Sequence, residues 1–200
     1  MKYQLRDYQK KASDAAVMYF KMKSGRNGLL VLPTGAGKSL IIADIAARLE
    51  EPLIVFQPNK EILEQNFAKL QTYGIWDCSI YSASVGRKEI SRITFATIGS
   101  VIRHMKDFQH FKNILIDECH LVKPSDGMYK RFFEQAERRI VGLTATPYRL
   151  YSCMNGSMLK FLTRTRPRVF SQVLYYCQVS ELLAKGFLSR LKYYDVTRID

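Results

Sequence analysis

A short apolar run followed directly by a glycine-rich segment constrains this chain more than any other feature of its sequence. Leu29-Leu30-Val31-Leu32 has the uninterrupted apolar character of a strand that is buried on both faces of a sheet. The next residues read Pro33-Thr34-Gly35-Ala36-Gly37-Lys38-Ser39, and a helical segment follows over residues 39–49. A strand, a glycine turn and a helix in this order predict an α/β fold with the turn at the carboxyl edge of the sheet.

The glycine turn has the chemistry of a phosphate site. Gly35 and Gly37 can adopt backbone angles that other residues avoid, so main-chain N–H groups can turn inward around a phosphate beside the positive start of the helix. Lys38 is then expected to reach the β- and γ-phosphates of ATP, and the Ser39 hydroxyl to ligate Mg²⁺. The predicted cofactors are therefore ATP and Mg²⁺, and the predicted loop contacts are Thr34, Gly35, Ala36, Gly37, Lys38 and Ser39. A chance glycine turn is the alternative, and the flanking strand and helix argue against it.

Strands and helices continue to alternate as far as about residue 150. This alternation predicts βαβ units and a mostly parallel sheet with helices on both faces. Further strands are predicted at 53–56, 79–81, 93–96, 114–116 and, as the last, 140–143; helices are predicted at 7–23, 61–70, just after 97, and 129–136. Beyond residue 148 the pattern weakens to a polar loop at 152–157, a helix at 181–184 and the start of a strand at 191–196. We therefore expect a domain over residues 1–150 and a connection over residues 151–200.

A second chemical signal lies where the strand Ile114-Leu115-Ile116 ends. Two carboxylates, Asp117 and Glu118, follow it directly, which places them at the sheet edge where ligands bind in open α/β folds. Asp117 is predicted to hold Mg²⁺ through water, and Glu118 to orient or deprotonate the water that attacks the phosphate. With Lys38 they form the predicted catalytic set. An acidic surface turn is the alternative, which the phosphate loop upstream makes less favourable.

Asp117-Glu118-Cys119-His120 resembles the DExH box of superfamily 2 helicases and translocases. Other motifs of that family have counterparts here in the same order, and Leu32, where the general phosphate-loop pattern has glycine, agrees with the compact Pro-Thr-Gly-x-Gly-Lys-Ser form that is common in helicase-type ATPases. The counterparts are Leu5-Arg6-Asp7-Tyr8-Gln9, Gln57-Pro58-Asn59-Lys60-Glu61, Ala96-Thr97-Ile98-Gly99-Ser100 and Gly142-Leu143-Thr144-Ala145-Thr146-Pro147. The likeness is close over residues 3–150, and the RadD-like and restriction-motor-like DNA enzymes are the most similar subgroup.

The resemblance implies a RecA-like fold and the first of two such domains of an ATP-dependent motor. It assigns Gln9 to the adenine edge and Arg6 to a position near the adenine ring. It places His120 in contact with Thr144, Ala145 and Thr146, which relay the state of the nucleotide. The residues that it assigns to the nucleic-acid backbone are Pro58, Asn59, Lys60, Thr97, Ser100 and Arg103.

The charge of the chain agrees with such a partner. Lys and Arg number 31 against 18 Asp and Glu, which gives a net charge of +13 and is typical of proteins that bind polyanions. A solvated basic surface without a partner explains the charge equally well, and a basic cluster over residues 160–168 has the same two interpretations. The favoured partner is DNA rather than RNA. Trp76, Tyr175 and Tyr176 are interpreted as core residues rather than as platforms on which bases stack.

Other features restrict the class of protein. No apolar run is long enough to cross a bilayer, and the N-terminus lacks the apolar region of a secretion signal, so we expect no membrane partner. Four scattered cysteines without a Cys-x-x-Cys pair predict reduced thiols in a cytoplasmic protein and no zinc site.

Two other functions remain open from the sequence. One is a phosphate-loop ATPase without a nucleic-acid role, and the other is a nucleic-acid-binding module with a decayed ATP site. The favoured reading is an ATPase domain that needs the second RecA-like domain, because that domain supplies an arginine to the transferring phosphoryl group. Alone, the chain is expected to bind nucleotide weakly and to hydrolyse it slowly.

Overall fold

The apolar runs of the sequence form a central sheet, which the computed structural model describes over residues 4–22, 26–153 and 156–190. Six helices surround or extend it: α1 (Asp7–Lys21), α2 (Lys38–Arg48), α3 (Lys60–Thr72), α4 (Ile98–Val101), α5 (Met128–Phe133) and α6 (Val179–Ala184). The strands are β1 (Gly28–Val31), β2 (Leu53–Phe56), β3 (Cys78–Ser82), β4 (Arg87–Lys88), β5 (Ile93–Ala96), β6 (Asn113–Ile116), β7 (Arg139–Thr144), β8 (Tyr148–Cys153), β9 (Gly156–Phe161) and β10 (Gln172–Tyr176). Short 3₁₀ turns cover Met105–Phe108, Cys119–Leu121 and Leu162–Arg164.

Eight strands form the main sheet in the order β10-β1-β7-β6-β2-β5-β3-β4. Neighbouring strands run parallel except β3 and β4, which are antiparallel. The predicted α/β fold with a mostly parallel sheet is therefore confirmed.

Side chains alternate along each strand and supply two cores, one on each face of the sheet. On β6, Leu115 packs in the cluster formed with α1, α2 and α3, whereas Ile114 and Ile116 pack in the cluster that contains Phe132 of α5. All four residues of β6 are buried. This double coverage explains why the central strands read as continuous apolar runs rather than as an alternating pattern.

The structure corrects several predictions beyond the central strands. The loop predicted at 152–157 is wrong for residues 152, 153, 156 and 157, because β8 and β9 pair antiparallel with Ser152 opposite Ser157; residues 154 and 155 lie outside the described residues. The strand at 140–143 is followed by β8, β9 and β10 and is not the last. Helix α1 ends at Lys21, two residues before its predicted end, and α5 ends at Phe133 rather than at residue 136. The strand predicted at 191–196 lies outside the described residues.

Strand β10 adds to the sheet beside β1, past the boundary predicted at residue 150. Its register shifts between Leu29 and Leu30, which leaves Leu174 as an extra residue opposite β1. Cys177 and Leu182, which follow β10, are buried in the same core cluster as α1 and α2. Residues 172–182 thus share the core of the first 150 residues.

Two aromatic side chains that were predicted to be core residues are exposed. Trp76 is 74% exposed and Tyr176 62% exposed, so their assignment to the core is wrong. Trp76 follows α3 just before β3, and Tyr176 ends β10 at the edge of the sheet.

Two further findings concern the cysteines and the length of the apolar helices. Cys78, Cys119 and Cys177 are free thiols. None of the described helices combines the length and the apolar composition that a bilayer crossing requires.

Candidate nucleotide and nucleic-acid site

Parallel strands bring the predicted motifs to one edge of the sheet. The neighbouring strands β1, β7, β6, β2 and β5 all end at that edge, because each pair is parallel and in register. The phosphate loop follows β1, the acidic pair follows β6, and Gln57 and Thr97 follow β2 and β5. Thr144 is the last residue of β7, between the loop and the acidic pair. The topology therefore collects residues that lie more than 100 positions apart in sequence.

The phosphate loop depends on glycine at two positions. Gly35 and Gly37 have φ angles of 80° and 77°, in the left-handed region that disfavours a side chain. Gly37 is also the N-cap of α2, and its carbonyl accepts the Leu40 amide at 3.0 Å. A Cβ atom at Gly37 would lie only 2.5 Å from Nε2 of Gln9. Backbone conformation and side-chain packing both require glycine here.

The N-terminal segment, residues 6–9, forms hydrogen bonds with the phosphate loop. The hydroxyl of Tyr8 and Nε2 of Gln9 both donate to the carbonyl of Ala36 at 2.9 Å, and Oε1 of Gln9 accepts the Arg6 amide at 2.9 Å. Gln9 is 3% exposed. The guanidinium of Arg6 lies 4.3 Å from the centre of the Phe187 ring. These contacts place both residues next to the loop, and their roles toward adenine remain predictions.

Lys38 and Glu118 form an ion pair at the centre of the site. Nζ of Lys38 lies 2.7 Å from Oε1 of Glu118, and the two side chains are 12% and 26% exposed. Glu118 has a φ of 48°, and among the described non-glycine residues it alone has a positive φ. A left-handed conformation at a residue other than glycine is strained, and such strain concentrates at functional sites. In this conformation the Glu118 side chain reaches Lys38 of the phosphate loop.

Asp117 is the most deeply buried carboxylate of the site, at 6% exposure. Oδ1 accepts the Glu118 amide at 3.0 Å and Oδ2 accepts Nδ2 of Asn66 at 3.2 Å. Burial raises its pKa to about 6, Glu118 adds to the increase, and the positive charge of Lys38 opposes it. A carboxylate is an oxygen ligand of the kind that magnesium prefers, and among the described residues no cationic side chain forms an ion pair with Asp117. Ser39 and Asp117 offer the one or two protein oxygens that magnesium takes when phosphates supply others.

His120 connects the acidic pair to β7. Its Nδ1 lies 3.1 Å from Oγ1 of Thr144 and 3.4 Å from Oε2 of Glu118. Oγ1 of Thr144 in turn accepts the Thr146 amide at 3.0 Å. Contacts therefore run without a break from Lys38 through Glu118 and His120 to Thr144 and Thr146. Ala145, between the two threonines, is partly exposed.

The six residues predicted to contact nucleic acid line a single cavity of about 480 Å³. Within it, Thr97 and Ser100 share a hydroxyl contact of 3.0 Å, and Oγ of Ser100 accepts the Ala83 amide. Asn59 is the N-cap of α3, since its Oδ1 accepts the Ile62 amide at 2.9 Å. We call this cavity the basic groove; its residues are Pro58, Asn59, Lys60, Ala83, Ser84, Lys88, Thr97, Gly99, Ser100, Arg103 and His104. Lys88 and His104 were not predicted from the sequence.

Other contacts at the site were also missed. Asn66 supports Asp117 from α3, where it interrupts an apolar stripe of Leu63, Phe67 and Leu70; a buried polar residue at helical spacing was the signal. Nε of Arg149 donates to the carbonyl of His120 at 2.8 Å. Nothing in the local sequence marks Arg149.

The cluster over residues 160–168 has all four of its positive side chains exposed: Lys160, Arg164, Arg166 and Arg168. In the part of the chain that the structure describes, no three His, Cys, Asp or Glu side chains gather as a metal centre would require.

Comparison with known proteins places this geometry in a family. The family described as the type III restriction enzyme, res subunit, matches residues 2–149. The chain belongs to this family. The match covers the phosphate loop, the acidic box and the Thr-Ala-Thr-Pro motif, so the site described above falls within the res-subunit family region.

Curated relatives of this res-subunit family member are larger motor proteins. The chain is 30% identical over 151 residues to the DNA 3'-5' translocase XPB2 of Sulfurisphaera tokodaii, covering 74% of this chain and 32% of the relative. It is 29% identical over 154 residues to the DNA 3'-5' helicase XPB of Mycobacterium tuberculosis, covering 72% and 27%. A viral protein with the name of an RNA helicase, from African swine fever virus, matches at 27% identity. The chain thus spans about a third of the length of these relatives.

Solved structures agree on the fold. The Sulfolobus solfataricus SWI2/SNF2 ATPase core in complex with dsDNA superimposes with a TM-score of 0.60 at 21% identity, over 74% of this chain and 33% of that one. The resemblance to the first RecA-like domain of superfamily 2 motors is therefore confirmed.

Proposed function

We propose that the chain is the ATP-binding and hydrolysis domain of an ATP-dependent motor that moves along nucleic acid, and that DNA is its track. The observation that carries this proposal is the continuous series of contacts from Lys38 through Glu118 and His120 to Thr144. A phosphate site by itself would not need contacts to the end of β7. A motor needs them, since it must transmit the state of the nucleotide beyond the phosphate site.

The residues of the nucleotide site divide the chemistry between them. ATP with Mg²⁺ supplies, when bound, the phosphoryl group and a positive charge that neutralises its oxygens. Lys38 would pair with the phosphates in place of Glu118, and Ser39 and, through water, Asp117 would hold the metal. Released from Lys38, Glu118 is free to accept a proton from the attacking water. The ion pair in this structure thus keeps the base occupied until nucleotide displaces Lys38.

The basic groove is the proposed contact with the nucleic-acid backbone. Hydroxyl groups of Thr97 and Ser100 lie beside Lys60, Lys88 and Arg103, and such groups bind phosphate and sugar without reading the sequence. The relatives XPB2 and XPB carry DNA in their names, which supports DNA over RNA for this chain. A cytoplasmic location follows as part of the same proposal.

A second RecA-like domain outside this chain completes the proposed machine. The chain spans about a third of its relatives, and it offers no arginine within the described contacts of Lys38 or Glu118. That arginine is expected from the second domain. We therefore expect slow hydrolysis by the 200-residue chain, and rapid hydrolysis stimulated by nucleic acid only when the second domain is present.

Lys38→Ala in the full-length protein tests the nucleotide site. Hydrolysis should fall by about 100-fold or more, because removing a donor to the transferring phosphoryl group costs about 3 kcal/mol of transition-state stabilisation. Lys10→Ala, an exposed position on α1, serves as the matched control. Unchanged hydrolysis in Lys38→Ala would disprove the loop assignment.

Salt-dependent binding tests the track. Affinity for DNA should fall steeply as the salt concentration rises. Arg103→Ala should reduce the slope of log affinity against log salt concentration by about one, since one phosphate contact is lost. No binding at low salt would instead favour a phosphate-loop ATPase without a nucleic-acid role. Tighter binding of RNA than of DNA would correct the choice of track.

A further inference from the structure

A second cavity, of about 460 Å³, lies between the nucleotide site and the basic groove. It shares Asp117 and Glu118 with the nucleotide site, and Pro58, Thr97 and Gly99 with the groove. The phosphate loop contributes none of its described lining residues. Its volume is in the range of pockets that hold small organic ligands. We call it the intermediate cavity.

The walls of the intermediate cavity suit a flat, neutral group. Ile98, Val122 and Met128 provide apolar surface, together with the aromatic side chain of Tyr129. The Tyr129 ring is fixed edge-on against Phe56, with their centres 5.4 Å apart. Three carboxylates, those of Asp117, Glu118 and Asp126, line the cavity against one cation, Lys123, so its net negative charge disfavours a phosphate through repulsion. An uncharged ring with one polar edge fits these walls better than any anion does.

Gln57 provides the polar partner at the cavity. The residue is 1% exposed, yet neither Nε2 nor Oε1 has a hydrogen-bond partner among the described residues. Its backbone is fixed, because its amide donates to the carbonyl of Ala96 at 2.9 Å. A buried amide group without partners is costly, and a ligand that pairs with both atoms removes that cost.

We propose that the intermediate cavity receives one base of a single strand bound in the basic groove, and that the base pairs with the Gln57 amide. This inference rests on the proposed nucleic-acid function. The strand's phosphates lie in the groove, and the base turns away from them toward Gln57, whose side chain rotates outward to meet it. Each base carries neighbouring hydrogen-bonding groups on its Watson–Crick edge, and a glutamine amide offers one donor group and one acceptor.

The contact need not select a sequence. A half-turn of the amide exchanges the positions of donor and acceptor, so Gln57 can pair with any of the bases. Stacking on apolar and aromatic walls is equally tolerant, since every base has a π-face. The site therefore requires an unpaired base but no particular one, which suits a motor that passes over any sequence.

Oligonucleotides that lack one base test this proposal. A single abasic site is moved along short single strands, and binding to the full-length protein is measured by fluorescence anisotropy. We expect one position at which loss of the base weakens binding about tenfold, the size of one stacked or paired base. Gln57→Met should bind the intact strand about tenfold more weakly and should show no penalty at that position. Gln65→Met, exposed on α3, is the matched control and should behave as the wild type.

The outcomes separate this inference from the function on which it rests. Failure of the wild type to bind any strand at low salt would overturn the proposed function and the inference with it. Salt-dependent binding with equal affinity at every abasic position, or a penalty that persists in Gln57→Met, would overturn the inference alone. Met128→Glu provides a second variant if Gln57→Met does not fold. Met128 lines the cavity and is 44% exposed, so we expect the fold to accept glutamate at this position. The added carboxylate should also abolish the binding penalty at the abasic position.

Discussion

At the scale of single residues, the buried negative charge of Asp117 lowers the stability of the folded protein at neutral pH. Its carboxyl group is almost completely buried, and burial raises its pKa from 3.8 to about 6. The folded protein therefore binds a proton at this group more tightly than the unfolded chain does. Stability contributed by the protonated group is present below about pH 4 and is lost as the pH rises through about 6.

Asp117→Asn should raise the free energy of unfolding at neutral pH. The gain is of the order of 2–3 kcal/mol, from about two pKa units, and most of it should be lost near pH 4, where the carboxyl of the folded wild type is protonated. Urea unfolding without Mg²⁺ between pH 4 and 8 measures the difference. Asp126→Asn, which is exposed, should change stability little at any pH. Equal stability of Asp117→Asn and the wild type at pH 8 would show that burial does not disfavour the charge.

His120 and Thr144 should act as a unit in coupling hydrolysis to the track. Nδ1 of His120 and Oγ1 of Thr144 lie 3.1 Å apart, and this contact connects the acidic pair to the end of β7. His120→Ala and Thr144→Val should each lower the ratio of stimulated to basal hydrolysis about tenfold, and the double variant should lower it little further. The full-length protein is assayed with and without DNA, with His110→Ala at the opposite edge of the sheet as the control. Multiplicative losses would show that the two residues act independently.

At the scale of elements, the dense packing of β10 against β1 shows how the later residues join the domain. Gly28 starts β1 opposite Gln172, and Leu174 is the extra residue of β10 at the register shift between Leu29 and Leu30. A Cβ atom at Gly28 would meet three carbons of the Leu174 side chain at 2.5–2.9 Å and no other residue's atoms as closely. The absence of a side chain at Gly28 therefore lets Leu174 lie across the strand.

Gly28→Ala should destabilise the protein by about 1–3 kcal/mol, the usual cost of overpacking. In the double variant, Leu174→Ala should recover most of the lost stability, because the Leu174 carbons that collide with the new Cβ atom are gone. Chemical unfolding of the two single variants and the double variant gives the coupling energy directly. Additive losses of unfolding free energy would show that Gly28 and Leu174 are not in contact, which would contradict the pairing of β10 with β1.

Elements predicted from the sequence differ in a consistent way from those that were missed. Strands β2 and β5 match their predicted ranges, because both are buried on both faces and therefore read as short runs that are apolar except for Thr94. Strand β10 has the apolar run Val173-Leu174-Tyr175-Tyr176 but was not predicted; it lies at the edge of the sheet, where Val173 and Tyr176 are exposed. Hairpin residues such as Leu150 and Leu159 are 66% and 65% exposed, so no core imposes a pattern on β8 and β9.

The candidate site follows the same logic. Lys38, Asp117 and Glu118 could be found from the sequence because a phosphate loop and an acidic pair need neighbouring residues at fixed spacing. Lys88 and Arg149 reach the site only because the fold brings their segments near it, and a single sequence contains no signal of those distances.

At the scale of the whole molecule, residues after 150 pack against the N-terminal segment that contacts the phosphate loop. Helix α1 packs against β10, and Leu182 of α6 lies in the core with 0% exposure. Phe187, beyond α6, contacts the ring of Tyr8 at 5.7 Å and the guanidinium of Arg6 at 4.3 Å. The segment that reads as a connection in the sequence thus supports the residues that hold the phosphate loop.

Removing residues 151–200 should therefore cost stability and nucleotide affinity together. Loss of Leu182, Cys177 and Phe187 uncovers apolar surface worth about 1.5–3 kcal/mol for each large side chain, so residues 1–150 should unfold at a much lower urea concentration than the 200-residue chain. Leu182→Ala in the 200-residue chain should lose about 2–5 kcal/mol, and Leu183→Ala, only partly buried, should lose less. Nucleotide affinity, measured by fluorescence titration, should fall in parallel because Arg6 and Tyr8 lose their support. A fragment of residues 1–150 as stable as the longer chain would place the domain boundary at residue 150 after all, with β10 as an addition that the fold does not need.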